Sequence, residues 1–307
     1  MTTYCLYHSV DLDGQASAAI VKSYVPDVVL IPFNYNVPFP YDRITPEDSV
    51  YFVDVAVQPY DEMLEIVKKV NNLTVIDHHI TFVNSDAGKA LKGILGRDFY
   101  CDTKLAGCEL TWMYFNERSA GEIVPEIPRA IRLLGQYDTW RNTPEKKLIM
   151  DTSWETVMAF QWGMRQAEFD FDYFIKTFLH GFHSLAGASI LSTIAAGESL
   201  LKYQDHQNTI AMLSSFTAYI KGYKCLCVNS SLRNSQVFAS KWDENEYDFM
   251  VPFSMTKDQK WSWSFYASRP DKDASELAKQ FGGGGHKAAS GCFSTELIFD
   301  TEEKICG

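Results

Sequence analysis

The chain has 307 residues, long enough for two domains of ordinary size, and its 46% hydrophobic and 22% charged residues are those of a globular protein. Its net charge of -11 argues against sequence-independent binding of long nucleic acid, which needs a basic footprint, and leaves room for a short anionic substrate beside a local metal charge. The seven cysteines are odd in number, irregularly spaced and free of any C-x-x-C, which suits buried thiols in a reducing compartment rather than a disulfide framework.

In chain order, Tyr4–Tyr7 reads as a short buried strand, followed by His8-Ser-Val-Asp-Leu-Asp-Gly14. Ala16 to Tyr24 carries the small residues that let a helix lie close to a sheet. Val28 to Phe33 is a second apolar run, and 34–48, with Pro38, Pro40 and Pro46, reads as loop. Val50 to Val53 forms a strand ending at Asp54. Tyr60 to Val70 repeats apolar residues at helical spacing, while its Glu62, Glu65, Lys68 and Lys69 mark a solvated face. A further strand, Leu73 to Ile76, runs straight into Asp77-His78-His79.

From Leu105 the pattern turns helical: 105–117, 127–137 leading into Asp138-Thr-Trp140, 153–165, 169–182, and a long Ala- and Leu-rich helix over 186–211. Beyond Ser214 the period changes to two. Strands are expected at 216–220, 223–228, 236–241, 248–253 and 261–267, then a helix at 274–281 and the run Gly282-Gly-Gly-Gly-His286 before a last strand. Strands alternating with helices indicate an α/β protein. The expectation is an N-terminal parallel-sheet domain over 1–185 with helices on both faces, a connecting helix over 186–213, and a smaller C-terminal α/β domain over 214–307.

In a parallel sheet, ligands bind outside the carboxyl ends of the strands. His8, Asp11, Asp13, Asp54, Asp77 and His78 all lie at or just past such ends, so strand direction gathers them at one edge. With Asp138 the pocket holds four carboxylates besides Asp77: Asp11, Asp13, Asp54 and Asp138. Like charges that close do not all ionise unaided, and two divalent cations resolve the conflict. Carboxylate and imidazole without thiolate favour Mn²⁺ or Mg²⁺ over a zinc of the cysteine type. Such a pair activates a hydroxide and stabilises both oxygens of an in-line displacement at phosphorus. The four glycines let backbone N–H groups approach an anion, with His286 as an added donor. Trp261, Trp263 and Phe265 share one strand face, for which core packing is the favoured reading.

His8-x-x-Asp-x-Asp-Gly14, Asp54, Asp77-His-His79, Asp138 and Gly282-Gly-Gly-Gly-His286 together resemble the DHH phosphoesterase superfamily, in the branch with a glycine-rich C-terminal domain and nearest its nanoRNase, or oligoribonuclease, group. The resemblance implies that His8, Asp11 and Asp54 hold one Mn²⁺, and that Asp13, Asp54, His78 and Asp138 hold the other. It implies that Asp77 orients neighbouring ligands, making Asp77, His78 and His79 the catalytic motif, and that His79 meets the substrate phosphate or leaving oxygen. Gly283, Gly284, Gly285 and His286 would grip a substrate phosphate. Many members place one more residue between the first His and Asp than His8 and Asp11 do. Many also carry an Arg within the strand that here reads Ser264–Ser268; Arg269, just after it, is the candidate replacement. The implied activity is phosphodiester hydrolysis of very short oligonucleotides to mononucleotides in the cytoplasm, with no membrane or long duplex as partner. Hydrolysis of pAp or of linear signalling dinucleotides stays open as an alternative, as does a nucleotide-sensing role without catalysis. No signal peptide is expected.

Overall fold

The computed structural model describes residues 1–35, 37–119, 126–149, 151–180, 183–231 and 234–300. The chain divides into two compact units, Met1–Leu200 and Leu201–Gly307.

The first unit is built on five parallel strands: β1 (Thr3–His8), β2 (Val29–Phe33), β3 (Ser49–Val53), β4 (Asn72–Asp77) and β5 (Phe99–Cys101), in the order β2-β1-β3-β4-β5. The central strands are buried on both faces, which is why their sequences are near-continuous apolar runs. Sequence order reverses between β1 and β3, so a crevice opens at their carboxyl ends.

The helices of this unit are α1 (Leu12–Tyr24), α2 (Glu62–Lys69), α3 (Ile80–Val83), α4 (Asp86–Leu95), α5 (Gly107–Ser119), α6 (Arg129–Asp138), α7 (Trp154–Met164) and α8 (Phe171–Phe174). Helices α1 and α5 pack on one face of the sheet. On the other, Met63 and Ile66 of α2 and Leu91 of α4 close a core with Leu6, Phe33, Phe52, Val75 and Phe82. The segment 80–104, for which the sequence offered no assignment, supplies α3, α4 and β5. The expected helix over 169–182 is instead short α8 followed by a π-helical turn, Ile175–Leu179. The long helix α9 (His183–Ala211) contains the boundary between the units. No described helix is long and apolar enough to cross a membrane.

The second unit holds β6 (Phe216–Ile220), β7 (Tyr223–Asn229), β8 (Phe249–Met255), β9 (Trp261–Tyr266), α10 (Ala274–Lys279), β10 (Gly284–Gly285) and β11 (Ala289–Ser294). Its sheet runs β10-β11-β9-β8-β7-β6, and β7 with β8 is its parallel pair. Trp263 and Phe265 are core residues, and Trp263 stacks on Phe253 with ring centroids 4.7 Å apart, as the alternation implied. Cys225 and Cys227 are buried and unpaired in the same core.

The strand expected over 236–241 is not formed. Ser235–Phe238 is a 3₁₀ turn capped by Asn234, whose Oδ1 accepts from Gln236 N at 3.0 Å. Val237 and Phe238 are neighbours in sequence and both enter one core cluster with Met212, Leu226, Val228 and Met250. A strand would send one of them to the opposite face.

Candidate metal centre

Each site residue is placed by an element end. His8 closes β1, and Asp11 caps α1 by accepting from Gly14 N at 2.9 Å, so the helix begins four residues earlier than the sequence indicated. Gly14 is required there, since a Cβ would stand 2.0 Å from the His8 carbonyl oxygen. Asp13, in the first turn of α1, reaches the start of α5. Its two carboxylate oxygens accept from Gly107 N and Cys108 N, each at 2.8 Å. These are free N–H groups of a helix N-terminus, which favours a negative charge. Asp54 follows β3 with φ 60, a backbone conformation uncommon for a residue with a Cβ, and it is held by Asp54 N donating to Ile76 O at 2.9 Å. Gly107 leaves room for it, because a Cβ there would lie 2.7 Å from Asp54 Cβ.

Asp77 ends β4 and is 1% exposed. Its Oδ1 accepts from His78 N at 2.6 Å, from His79 N at 2.9 Å and from His79 Nδ1 at 2.8 Å, which sets the turn and presents both imidazoles to the crevice. Asp138 is the last residue of α6.

Side-chain donor atoms converge in three overlapping groups, His8–Asp11–Asp54, Asp13–His78–Asp138 and Asp54–His78–His79, and within each the atoms lie no more than 4.8 Å apart. His8 Nδ1 is 2.8 Å from Asp11 Oδ2 and 3.7 Å from Asp54 Oδ2. His78 Nε2 is 3.2 Å from both Asp54 Oδ1 and Asp138 Oδ2, and 3.7 Å from Asp13 Oδ2. Asp54 thus stands between the first two groups, where a ligand shared by two ions belongs.

The electrostatics of this arrangement ask for cations. Burial pulls the His8 imidazole down, but the carboxylates of Asp11 and Asp54 outweigh it and lift its pKa to about 10. Against the same desolvation, Asp138, Asp54 and Asp13 lift His78 to about 12. Burial, with Asp54 and Asp138 nearby, holds Asp13 well above the usual carboxylate range in spite of its two backbone donors. Yet His8 Nδ1 and Nε2, Asp54 Oδ1, Asp77 Oδ2 and His78 Nε2 are buried without a directed hydrogen bond, although they lie close to one another. Such orphaned atoms are rare in folded proteins and suit metal ligation. The donor set of carboxylate and imidazole fits Mn²⁺ or Mg²⁺. Cys108, buried near Asp13 with its thiol pKa pushed well up, is not a thiolate donor.

Two residues around the cluster escaped the sequence reading. Arg141, 3% exposed, donates to Glu109 through two nitrogens at 2.8 and 3.0 Å, to Asp151 Oδ2 at 2.8 Å and to Thr139 Oγ1 at 2.7 Å. Glu109 also accepts from Ala106 N at 3.0 Å. This network ties the turn after Asp138 to the beginning of α5, which holds Asp13. Tyr35 was missed as well; its ring centroid lies 5.2 Å from that of His8 and 6.1 Å from that of His79. Neither carries a local sequence signal, since both partnerships are long-range.

In the second unit the glycine run is half of a tight hairpin. Gly282 N and Gly283 N donate to Lys279 O and Ala278 O, and His286 N donates to Ala289 O at 2.8 Å. Gly283 is also wedged, a Cβ meeting Gly291 O at 2.2 Å, whereas Gly284 faces open space and His286 is exposed. Arg269 is engaged by Asp271 at 3.1 Å, Glu244 O at 3.0 Å and Asp248 at 3.3 Å. His180 ends the π-helical turn, while Arg233 and the His183 side chain fall outside the described residues.

Fold and site together define an α/β protein with a carboxylate–imidazole cluster at the switch point of a parallel sheet. No family model matches the chain. An uncharacterised protein of Acanthamoeba polyphaga mimivirus is 26% identical over 315 aligned positions, covering 93% of this chain and 66% of that protein, so the chain spans just under two thirds of this relative's length. Similar solved structures include a pGpG-specific phosphodiesterase of Vibrio cholerae, with 14% identity, TM-score 0.47, and 96% and 93% of the two chains covered. Another is the DHH domain of a member of a family of ribosomal proteins, with 13% identity, TM-score 0.48, and 99% and 84% covered. A third is an uncharacterised protein of Helicobacter pylori, with 16% identity, TM-score 0.41, and 100% and 97% covered.

Proposed function

We propose that this chain is a DHH-type, metal-dependent phosphodiesterase that hydrolyses very short oligonucleotides to mononucleotides. The observation that carries the reading is the convergence of His8–Asp11–Asp54 and Asp13–His78–Asp138, with Asp54 between them. Divalent ions held there would supply a hydroxide nucleophile at neutral pH and neutralise charge developing on the phosphoryl oxygens.

The remaining roles belong to the chain. Asp77 accepts a hydrogen bond from His79 Nδ1–H, which leaves Nε2 as the nitrogen that takes up the second proton and faces substrate. Burial lowers the His79 pKa, but Asp77 and Asp54 outweigh it and raise it, so His79 is suited to give a proton to the leaving ester oxygen. Asp13 is oriented by α5, and the Arg141 network holds the turn that follows Asp138. In the second unit, Gly284, Gly285 and His286 are assigned a phosphate contact; Gly283, whose N–H is given to Ala278 O, is assigned the hairpin's shape instead.

The net charge of -11 favours substrates with few phosphates. Labelled oligomers of graded length, assayed beside pAp with Mn²⁺ or with chelator, test this. Rates should be highest on about two to five nucleotides and vanish with chelator, because a short substrate needs no extended basic track. Equal kcat/KM on a long single strand and a dinucleotide would contradict the substrate assignment, and turnover in chelator would contradict the metal.

A further inference from the structure

Two residues past Asp138, Trp140 is 48% exposed and has φ 53. A bulky residue in the left-handed region is strained, and glycine or asparagine would hold the same turn at lower cost. The turn does not need the indole either. Trp140 N donates to Tyr137 O, Arg141 N donates to Gln136 O, and the Arg141 side chain pins the segment from within. The side chain is nonetheless set in an aromatic cluster. Its ring lies edge-on to Trp154 with centroids 4.9 Å apart, and Trp154 stacks on Tyr137 with an interplanar angle of 2° and centroids at 5.8 Å.

A cation completes the cluster. The exposed Arg165 guanidinium lies over the Tyr137 ring, 5.3 Å from its centroid. Arg165 also lines a cavity of about 240 Å³ whose other walls include Asp11, Gln15 and Glu168. One end of the arrangement therefore borders Asp11, a proposed metal ligand, and the other follows Asp138, a second one. Two residues of chain span at most about 7 Å, so the Trp140 backbone stays within that reach of Asp138. An exposed indole whose backbone stands that close to Asp138, braced by Trp154 and Tyr137 with the Arg165 guanidinium over the latter, matches the base of a nucleotide whose phosphate occupies the cluster.

We propose that Trp140, with Tyr137, Trp154 and Arg165, forms a nucleobase-stacking subsite that makes the substrate a nucleotide rather than any phosphoester. This rests on the function proposed above. A phosphoryl site alone accepts a sugar phosphate as readily as a nucleotide; the aromatic surface adds affinity for the base and tolerates any of the four, since every base has a π-face.

The test compares binding of AMP and of ribose 5-phosphate to the Mn²⁺-loaded full chain by calorimetry. The wild type should prefer AMP about tenfold, the lower half of the range for stacking on an aromatic side chain. Trp140→Gly, which relieves the backbone strain and should not lower the melting temperature, should bring the two affinities within about twofold of each other. Trp140→Phe should keep most of the preference. Equal affinities in the wild type, no binding of either ligand, or an undiminished preference in Trp140→Gly would overturn the subsite. Because binding is read without turnover, the two readings fail separately. A base preference without hydrolysis of any phosphodiester sinks the enzyme and spares the subsite, and hydrolysis without base preference does the reverse.

Discussion

Asp54 is the residue at which backbone strain, close packing and ligand placement meet. Its strained backbone, the Gly107 notch that admits it and its place between two ligand groups converge on one carboxylate. Asp54→Ala should abolish turnover and lower bound Mn²⁺ at both sites, because a shared ligand serves both ions. Metal analysis of the purified variant checks this, and near-wild-type activity would end the two-metal scheme. His286 makes the complementary case. His286→Ala should leave metal content and melting temperature unchanged while lowering kcat/KM about ten- to a hundredfold, the worth of one charge-assisted hydrogen bond. Gly284→Val tests the same contact through the backbone. With nothing within 4 Å of a Cβ at Gly284, any loss of kcat/KM would come from a ligand kept away and not from a damaged hairpin.

Among the elements, the turn after α6 and the start of α5 behave as one piece through Glu109, Arg141 and Asp151. Burial raises the Glu109 pKa above its usual range even against Arg141, a sign of how far the pair is removed from water. Breaking such a pair on one side leaves an unpaired buried charge, at a cost of about 3–5 kcal/mol. Arg141→Met should therefore lower stability by roughly that amount and weaken metal binding through Asp138 and Asp13. Arg141→Met with Glu109→Leu and Asp151→Asn, which leaves neither partner as an unpaired buried charge, should recover much of the stability but not the metal affinity, as denaturant unfolding and a Mn²⁺ titration would show. In the second unit Asp248 joins β8 to the start of α10. Burial opposes its ionised form, but Lys272 at 2.6 Å, the Lys224 N–H at 2.9 Å and Arg269 outweigh it, so its pKa falls below the ordinary value of an aspartate. A depressed carboxylate stabilises the fold fully above its unfolded value, and the contribution is lost as pH falls through the lower folded value. Asp248→Asn should lose stability at neutral pH and show a shallower acid decline than the wild type in urea titrations taken from about pH 6 to pH 2.

At the scale of the whole molecule the chain forms two units of different build. The first is a parallel sheet whose strand ends must all point one way, so it collects acidic and imidazole groups without any one loop having to be long. The second is a mixed sheet with an apolar, aromatic core and a glycine hairpin at its edge. The half-buried ion pairs around Asp248 are internal to it. The net charge of the whole chain is -11. A chain with that charge offers no extended basic track to a long nucleic acid strand.

The sequence by itself determined the parallel sheet and the gathering of His8, Asp11, Asp13, Asp54, Asp77 and His78 at one edge. The reason is local: apolar runs bounded by Asp and His specify strands and their direction, and direction alone fixes which end the polar residues occupy. It also placed Trp263 and Phe265 in a core, since alternation reports a shared face. Tertiary structure alone decided what depends on partners distant in the chain. The two N–H donors that α5 gives Asp13 lie more than ninety residues away, and Glu109 and Arg141 are 32 apart. Residues 235–238 turned instead of extending because one hydrophobic cluster had room for both Val237 and Phe238. The glycines before His286 became a paired hairpin because β11 offered them backbone partners, and Arg141 is drawn in by Glu109, 32 residues away, while its neighbour Trp140 stays exposed.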